Sequence, residues 1–329
     1  MVTVGWEYYC EESAVSEGYY GYCEECGELT DSDELFYSDR RDAYYCEYCY
    51  PNEDGIITQW HDHKSESLNF NKTEDDEDDC LFFGLELEVD GRNISWNDNV
   101  ESAEHIRENY FNEDEMYFEE DGSLWNGFEL ITQPMTYNFI QEKEEDFEDM
   151  CNYLDQNGYT GENNKTAGLH IHVSRANISE RAIENIVYFL ENNLEDVLIL
   201  SRRGQKFSRF ASSFCFDNID NYRRHKEEEG DLDYNRVMNC YLRNEGNRYK
   251  ILNTNNYSTI EFRLFKSTLN SDNLLATIDF VNTLELMAMH GSLKIWHTVE
   301  DIIIYSDSKR LYNMYMESHA KYYEGSEVY

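Results

Sequence analysis

The sequence is poor in cationic side chains. Its 329 residues include 27 Lys and Arg against 68 Asp and Glu, which gives a formal net charge of −41. The resulting field repels phosphate backbones and anionic lipid headgroups, so non-specific binding to nucleic acid or to a membrane surface is disfavoured. Any buried phosphate site must therefore carry its own local cations, and the chain as a whole favours cationic partners.

Long apolar segments are also absent. No run of about 18 apolar residues occurs, and the N-terminus has no basic region followed by an apolar stretch, so the sequence predicts neither a membrane-spanning helix nor a secretory signal. The odd total of nine cysteines argues against a complete disulfide framework. We therefore expect a cytoplasmic protein in a reducing compartment. Aromatic residues make up 15% of the chain, which predicts that it folds despite its charge.

Four of the cysteines form two Cys-x-x-Cys pairs near the N-terminus. The pairs are Cys23 with Cys26 and Cys46 with Cys49. Pairs separated by roughly 15–20 residues are typical of a tetrahedral zinc site, because each tight turn presents two thiolates. We therefore predict a zinc-ribbon module over residues 1–55, with disulfides or free thiols as the alternative.

The predicted zinc module is acidic. Its basic residues up to residue 54 are Arg40 and Arg41 alone. Because so few cations oppose so many carboxylates, we expect no contact with DNA or RNA and predict instead that the module docks a protein partner or the main domain.

Residues 56–79 separate this module from the rest of the chain. The segment is polar and ends in a run of like charges, which is typical of a linker because the charges repel one another. We predict an acidic linker over 56–79 and a main domain over 80–329. Cys10, His61 and His63 could supply further ligands, but a lone cysteine is more often simply buried and an exposed His-x-His is more often part of a loop, so they stay unassigned.

The main domain opens with a strand in which apolar and acidic residues alternate. Its apolar members are Leu85, Leu87 and Val89, and its acidic members are Glu86, Glu88 and Asp90. At a period of two, the acidic side chains share one face. Same-face residues are roughly 6.5–7 Å apart, so Glu86 and Glu88 can reach one pair of magnesium ions. The alternative is an acidic face that simply meets water.

Three further predicted strands carry polar residues among apolar neighbours. Glu129 stands alone in an apolar strand, and a carboxylate in that setting needs a cation. His170 and His172 share one strand face, which fits a zinc pair or two hydrogen-bonded histidines near the core. Glu261 and Arg263 also share a face, and an exposed ion pair of that kind stabilises little.

Helical periodicity is clear in several later stretches. They cover residues 138–157, 177–197, 272–291 and 308–323. Asn177 and Glu180 have the spacing of a capping box at the start of the second stretch. Arg203 lies directly after that stretch and is a candidate anion ligand, although the helix dipole alone also favours a cation there. Residues 217–235 are highly charged, and we predict a loop or an insertion.

Five motifs occur in the order and rough spacing of the amidoligase family. They are Gly-Leu-Glu-Leu-Glu (84–88), Asp-Gly-Ser-Leu (121–124) with Gly-Phe-Glu-Leu-Ile (127–131), Gly-Leu-His-Ile-His-Val (168–173), Tyr-Lys-Ile-Leu-Asn (249–253) and Thr-Ile-Glu-Phe-Arg (259–263). On these motifs the chain resembles that family over about residues 80–290. The family is similar to glutamate–cysteine ligases and glutamine synthetase, and many members are encoded by phages. The zinc module lies outside the resemblance.

The resemblance implies a fold and an activity. The implied fold is α+β, with a curved antiparallel sheet, packed helices and a site for ATP, divalent ions and a carboxylate. The implied activity is that of an ATP-dependent carbon–nitrogen ligase, which forms an amide through an acyl phosphate. The substrates would be a carboxylate and an amine on an amino acid, a peptide or a protein. If the gene belongs to a phage, the host cytoplasm is the expected location.

The resemblance also implies roles for individual residues. The implied magnesium ligands are Glu86, Glu88, Glu129 and Glu261. The implied contacts to ATP are His170, His172, Asn253, Arg203 and Arg263, where the two histidines are metal ligands or phosphate contacts and the two arginines bind phosphate and take part in catalysis. Asp121 is implied to orient the amine.

Two other functions stay open from the sequence. One is a ligase fold without activity that binds a partner through the zinc module. A loss of activity is disfavoured because five polar site residues are present together, namely Glu86, Glu88, Glu129, Glu261 and Arg263. The other is a zinc hydrolase built on the two strand histidines, but the sequence has no His-Glu-x-x-His motif.

Overall fold

The chain divides into two units, unit 1 over Met1–His63 and unit 2 over Lys64–Tyr329. The structure is a computed structural model. It describes residues 2–4, 7–24, 26–38, 43–46, 55–58, 68–77, 80–91, 93–161, 167–203, 207 and 210–323. The predicted boundaries at residues 55 and 79 stay predictions.

Unit 1 consists of short strands and one short helix. Its elements are β1 (Val2–Val4), β2 (Glu7–Tyr9), α1 (Glu11–Ser16), β3 (Tyr20–Tyr22), β4 (Leu29–Asp31), a 3-10 turn (Ser32–Glu34), β5 (Leu35–Ser38), β6 (Ala43–Cys46) and β7 (Ile57–Thr58). Antiparallel pairs form between β1 and β2, β3 and β4, and β5 and β6. The last pair lies along the stretch between the two Cys-x-x-Cys motifs and ends at Cys46.

Unit 2 combines strands and helices. Its elements are β8 (Phe82–Val89), α2 (Trp96–Asn109), β9 (Met116–Glu119), β10 (Phe128–Thr132), β11 (Met135–Thr136), α3 (Tyr137–Glu142), α4 (Glu144–Gln156), β12 (Gly168–Ser174), α5 (Glu180–Asn192), α6 (Leu194–Leu200), α7 (Ile219–Glu229), α8 (Tyr234–Arg243), β13 (Leu252–Asn253), β14 (Thr259–Lys266), α9 (Ser271–Met289), α10 (Val299–Ser306) and α11 (Lys309–Tyr323). Within the described ranges, no helix is long and apolar enough to cross a membrane.

The strands of unit 2 form one antiparallel sheet. Their order is β13, β14, β12, β8, β10 and β9, and β11 also pairs with β8. Leu85, Leu87 and Val89 on β8 are buried, as their alternation with acidic residues predicts. The apolar face of the central strand therefore belongs to the core. The α+β class, with an antiparallel sheet and packed helices, is confirmed.

Helix α9 is the centre of the helical layer. Most of its residues are buried, and it packs against α4, α5, α10 and α11. One helix start differs from the sequence prediction. The N-cap of α5 is Ser179, whose hydroxyl accepts from the Ala182 N–H, so the predicted capping box of Asn177 and Glu180 is wrong. Both candidates are good caps, and the serine is the one whose backbone is extended directly before the first helical turn.

The highly charged segment 217–235 is not a loop. It contains α7 and the start of α8, with Asn218 and Asp233 as their N-caps. Ile219, Tyr222 and His225 are buried at a spacing of three residues, while the charged residues occupy the remaining faces. A narrow buried stripe is enough to hold a helix against its neighbours, and the predicted loop was wrong because its charge hid that stripe.

Candidate active site

Polar side chains from three neighbouring strands lie side by side. Glu119 on β9 pairs with Glu129 on β10, and Glu129 pairs with Glu88 on β8. Directly opposed residues of antiparallel strands point to the same face of a sheet. All three residues are buried, with exposed fractions of 5%, 5% and 4%. The sheet thus buries three carboxylates on one face.

The same face continues across the other half of the sheet. Glu86 on β8 pairs with His170 on β12. His172, two residues further on, pairs with Glu261 on β14, which in turn pairs with Asn253 on β13. Asn253 donates from its side-chain amide to Glu261 Oε2 at 2.7 Å. The six strands β9, β10, β8, β12, β14 and β13, in their order across the sheet, therefore contribute to one polar row.

Glu86 is the contact between the two histidines. Its Oε2 lies 3.0 Å from His170 Nδ1, and its Oε1 lies 2.8 Å from His172 Nε2. Burial alone would raise the pKa of Glu86, but His172 and His170 hold it well below its usual range. Burial likewise opposes protonation of His172, yet Glu86 raises the pKa of His172 to about 9. At neutral pH, Glu86 is therefore ionised and His172 is cationic.

Glu129 has the opposite environment. Burial, followed by the charges of Glu86 and Glu88, raises the pKa of Glu129 well above its usual value. Among the described residues, no hydrogen-bond donor contacts its carboxylate. Burial also raises the pKa of Glu88, against the influence of His170, although the Gly168 N–H donates to Glu88 Oε2 at 2.6 Å. These carboxylates are arranged as if a cation were to lie between them.

Two sets of donor atoms in the row are close enough to hold a metal ion. One consists of Glu86, Glu129 and His170, and the other of Glu86, His172 and Glu261. Within each set the donor atoms lie within 4.8 Å of one another. Glu86 belongs to both sets, whereas Glu88 belongs to neither of them. The two histidines fall in different sets, which disfavours the zinc pair.

Two arginines border the polar row. Arg263 forms an ion pair with Glu261, and its Nε donates to the Phe210 carbonyl at 3.3 Å. Arg203 donates to the carbonyls of Leu264 and Phe265 at 2.7 and 2.9 Å. Burial lowers the pKa of Arg203 to about 10, so it still carries its charge at neutral pH. Both guanidinium groups are thus held by backbone carbonyls, and that of Arg263 is also held by Glu261.

The β9–β10 loop carries a further carboxylate, Asp121, near Glu88 and Glu129. Asp121 accepts from the Ser123 N–H at 2.6 Å. Its charge raises the pKa values of both Glu88 and Glu129. Asp121 therefore lies near Glu88 and Glu129, at the edge of the polar row.

Sequence reasoning missed Glu119 and Tyr117 on β9. Met116 and Phe118 are buried and alternate with these two polar residues, so the same period of two that located Glu86 could have located Glu119. The strand is only four residues long, which made the alternation easy to overlook. Burial, then the charge of Glu119, also raises the pKa of Tyr117.

Comparison with known proteins decides the family. A family model described as "Putative amidoligase enzyme" matches residues 79–284, more than half of the chain. The chain belongs to this amidoligase family. All the site residues of unit 2 named above lie inside the matched range, whereas unit 1, α10 and α11 lie outside it. Among curated proteins no significant match is found.

Two solved structures resemble the amidoligase chain at low similarity. A bifunctional glutathione synthetase from Pasteurella multocida matches at 10% identity with a TM-score of 0.34, covering 74% of this chain and 47% of that one. The complex between the prokaryotic ubiquitin-like protein Pup and its ligase PafA matches at 11% identity with a TM-score of 0.30, covering 74% of this chain and 58% of that one. The chain thus spans less than two thirds of either protein.

Proposed function

We propose that the chain is an ATP-dependent carboxylate–amine ligase that uses magnesium and forms an amide through an acyl phosphate. Membership of the amidoligase family supports the reaction class. The observation that carries the proposal is the polar row, in which two sets of metal-ligating atoms share Glu86. The substrates would be a carboxylate and an amine on an amino acid, a peptide or a protein.

The donor set suits a hard divalent cation. Glu86, Glu88, Glu129 and Glu261 supply carboxylate oxygens, which magnesium prefers. Glu129 is buried without a hydrogen-bond donor among the described residues, and a cation would offset the burial and the repulsion that raise its pKa. When bound, magnesium would neutralise phosphate charge during phosphoryl transfer.

The cationic residues suit phosphate. Glu86 raises the pKa of His172 to about 9, and the cationic imidazolium form suits a phosphate oxygen. The neutral imidazole form would instead complete the donor set with Glu86 and Glu261, because a metal ligand must be deprotonated. Arg203 and Arg263 already have fixed guanidinium groups, so little ordering is needed when they bind the transferred group. Asn253 would hold Glu261 in position through its amide.

Different residues would act in the two steps of the reaction, phosphoryl transfer and amide formation. Arg203 and Arg263 would stabilise the negative charge as a substrate carboxylate oxygen attacks the γ-phosphorus and ADP leaves. Asp121 would orient the amine whose nitrogen attacks the acyl carbon, and it would accept a proton as phosphate departs. The alternative is a ligase fold that binds a partner without catalysis.

A labelling experiment separates these alternatives. Pools of carboxylates carrying ¹⁸O are incubated with amines, ATP and magnesium, and the released phosphate is analysed by mass spectrometry. An acyl phosphate transfers one ¹⁸O from the carboxylate to phosphate. ATP turnover without label transfer would refute the acyl phosphate, and the absence of both ATP binding and turnover would favour the non-catalytic protein.

A further inference from the structure

Three cysteine side chains come together in unit 1. The sulfur atoms of Cys23, Cys26 and Cys46 lie within 4.8 Å of one another, and those of Cys26 and Cys46 are 3.9 Å apart. The sulfurs of a disulfide are about 2.05 Å apart. Thiolates around a tetrahedral zinc ion, with Zn–S bonds of about 2.3 Å, are about 3.8 Å apart. The observed separation fits shared coordination and does not fit a disulfide.

The backbone fixes the three thiols near one another. The Gly27 N–H donates to the Cys23 carbonyl at 2.9 Å, and Gly27 has a φ of +69°, so the chain turns tightly around Cys26. The Glu24 N–H donates to the Tyr44 carbonyl at 2.9 Å. This bond ties the turn to β6, the strand that carries Cys46.

Two of these cysteines belong to a buried cluster of unit 1, whereas Cys26 is exposed. Cys23 and Cys46 are 1% and 4% exposed, and they pack with Tyr45 and Ala43. A unit of this size rarely gains enough stability from an apolar core alone, and a bound metal is a common supplement. The thiols of Cys23 and Cys46 therefore occupy a position where a metal ion would act as part of the core.

We propose that Cys23, Cys26 and Cys46 bind one zinc ion and that unit 1 requires this ion to fold. Each bound cysteine would release its proton and ligate as thiolate, so that the binding free energy becomes folding free energy. Cys49, the fourth ligand predicted from the motif spacing, lies outside the described residues. The proposal is independent of the ligase activity, because unit 1 lies outside the family match.

The test uses the full chain purified without chelator. We expect about one equivalent of zinc, which the Cys26→Ser variant loses to a chelator that leaves the wild type loaded. Cys10→Ser is the matched control, since Cys10 is an exposed thiol of the same unit that contacts Ser13. Removal of zinc should expose residues 1–63 to protease while residues 64–329 stay intact. A wild type that takes up no zinc, or a zinc content unchanged in Cys26→Ser, overturns the proposal.

A second, independent observation concerns Trp125 in the β9–β10 loop. Its side chain is 88% exposed. The loop around it is nevertheless fixed, because Asp90 accepts from the N–H groups of Trp125 and Asn126 at 3.3 and 2.9 Å, and Asn99 donates to the Asn126 carbonyl at 3.2 Å. Tryptophan is enriched at binding interfaces, where its ring supplies a large contact area.

We infer that the Trp125 ring binds a cationic group of the amine substrate, an inference that rests on the proposed ligase activity. Asp121 lies in the same loop, and Glu119 and Glu120 precede it in the chain, so the segment that carries the ring is acidic. A tryptophan face attracts cations more strongly than other aromatic rings do. The substrate class would then be an amine with a second positive charge, such as a diamine or a basic peptide.

The test compares 1,4-diaminobutane with 1-aminobutane as amine substrates. Trp125→Ala should raise the KM for the diamine about three- to thirty-fold and leave the KM values for 1-aminobutane and ATP unchanged, with Trp125→Phe in between. A raised KM for ATP would instead mean that the ring stacks on the base, which overturns the inference. If no amine supports turnover, the proposed function fails. The inference about Trp125 is then tested separately by following binding of the diamine through tryptophan fluorescence. The absence of saturable, salt-sensitive binding would overturn the inference.

Discussion

At the scale of single residues, two buried glutamates differ in what surrounds them. Glu129 lies in a row of polar side chains on the sheet, where a cation would stabilise it. Glu285 on α9 is fully buried, and neither of its carboxylate oxygens has a hydrogen-bond partner in the described part of the chain. Burial raises the pKa of Glu285 to about 8. Burying a carboxyl group without a hydrogen-bond partner destabilises the folded state. Glu285 lies outside the polar row, so the candidate active site does not account for it.

Glu285 therefore gives a prediction about stability and pH. Its pKa is higher in the folded than in the unfolded state, so the folded state loses stability as pH rises from about 4.5 to about 8. We expect Glu285→Leu to raise the free energy of unfolding by a few kcal/mol at pH 8 and by much less at pH 5. Denaturant titrations at both pH values measure this. An equal effect of the substitution at both pH values would contradict the assignment.

At the scale of elements, the junction of β8 and β10 sets the geometry of the acidic row. Gly127 lies directly before β10, and a Cβ at this position would lie 1.8 Å from the Val89 carbonyl oxygen. We expect Gly127→Ala to push the strands apart and to cost at least about 1–3 kcal/mol, as overpacking does. Gly122→Ala in the same loop is the control, since no atom lies within 4 Å of its Cβ. Equal thermal stability of the two variants would refute this account.

The C-terminal helices depend on one buried carboxylate. Asp279 on α9 accepts from Tyr137 on α3 at 2.8 Å, from Ser308 at 2.6 Å, and from Arg310 on α11 at 2.7 and 2.9 Å. It is 2% exposed. The residue thus connects three helices through hydrogen bonds to one charged group.

Removing that charge should be strongly destabilising. Asp279→Asn removes the buried anion of Arg310 and leaves that guanidinium the more exposed Glu144 carboxylate at 3.3 Å. Breaking a buried pair typically costs about 3–5 kcal/mol. The control is Glu184→Gln, whose partner Arg181 has a side chain 66% exposed, and which should cost less than about 1 kcal/mol. Chemical denaturation of both variants provides the comparison, and a similar loss in the two would show that the Asp279 network contributes little.

At the scale of the whole molecule, local periodicity predicted most elements but not their neighbours. The alternation in β8, β12 and β14 follows from apolar residues on one face, so these strands were visible in the sequence. The pairing of Glu86 with both histidines depends on which strands lie next to one another, and residues 84 positions apart carry no local signal of that contact. The charged segment that forms α7 and α8 was misread because the buried residues there are few.

The family motifs supplied what periodicity could not. They placed Glu129, Glu261 and Asn253 in one predicted site although these residues lie on three strands, and the structure brings them into one row. They gave no signal for unit 1, because it lies outside the matched residues. There the cysteine spacing alone indicated a site, and the three described thiols do lie together.

The most direct test of the proposed ligase measures turnover of Glu88→Gln. The substitution keeps the shape and the acceptor for the Gly168 N–H but removes one charge from the acidic row. Phosphate release and amide formation are measured with ATP, magnesium and pooled substrates, beside Glu104→Gln, an exposed position on α2, as the control. We expect substrate-dependent turnover in the wild type and in the control, and a loss of about 100- to 1000-fold in Glu88→Gln with the fold intact. Retention of more than about a tenth of wild-type turnover by Glu88→Gln would contradict its role as a metal ligand.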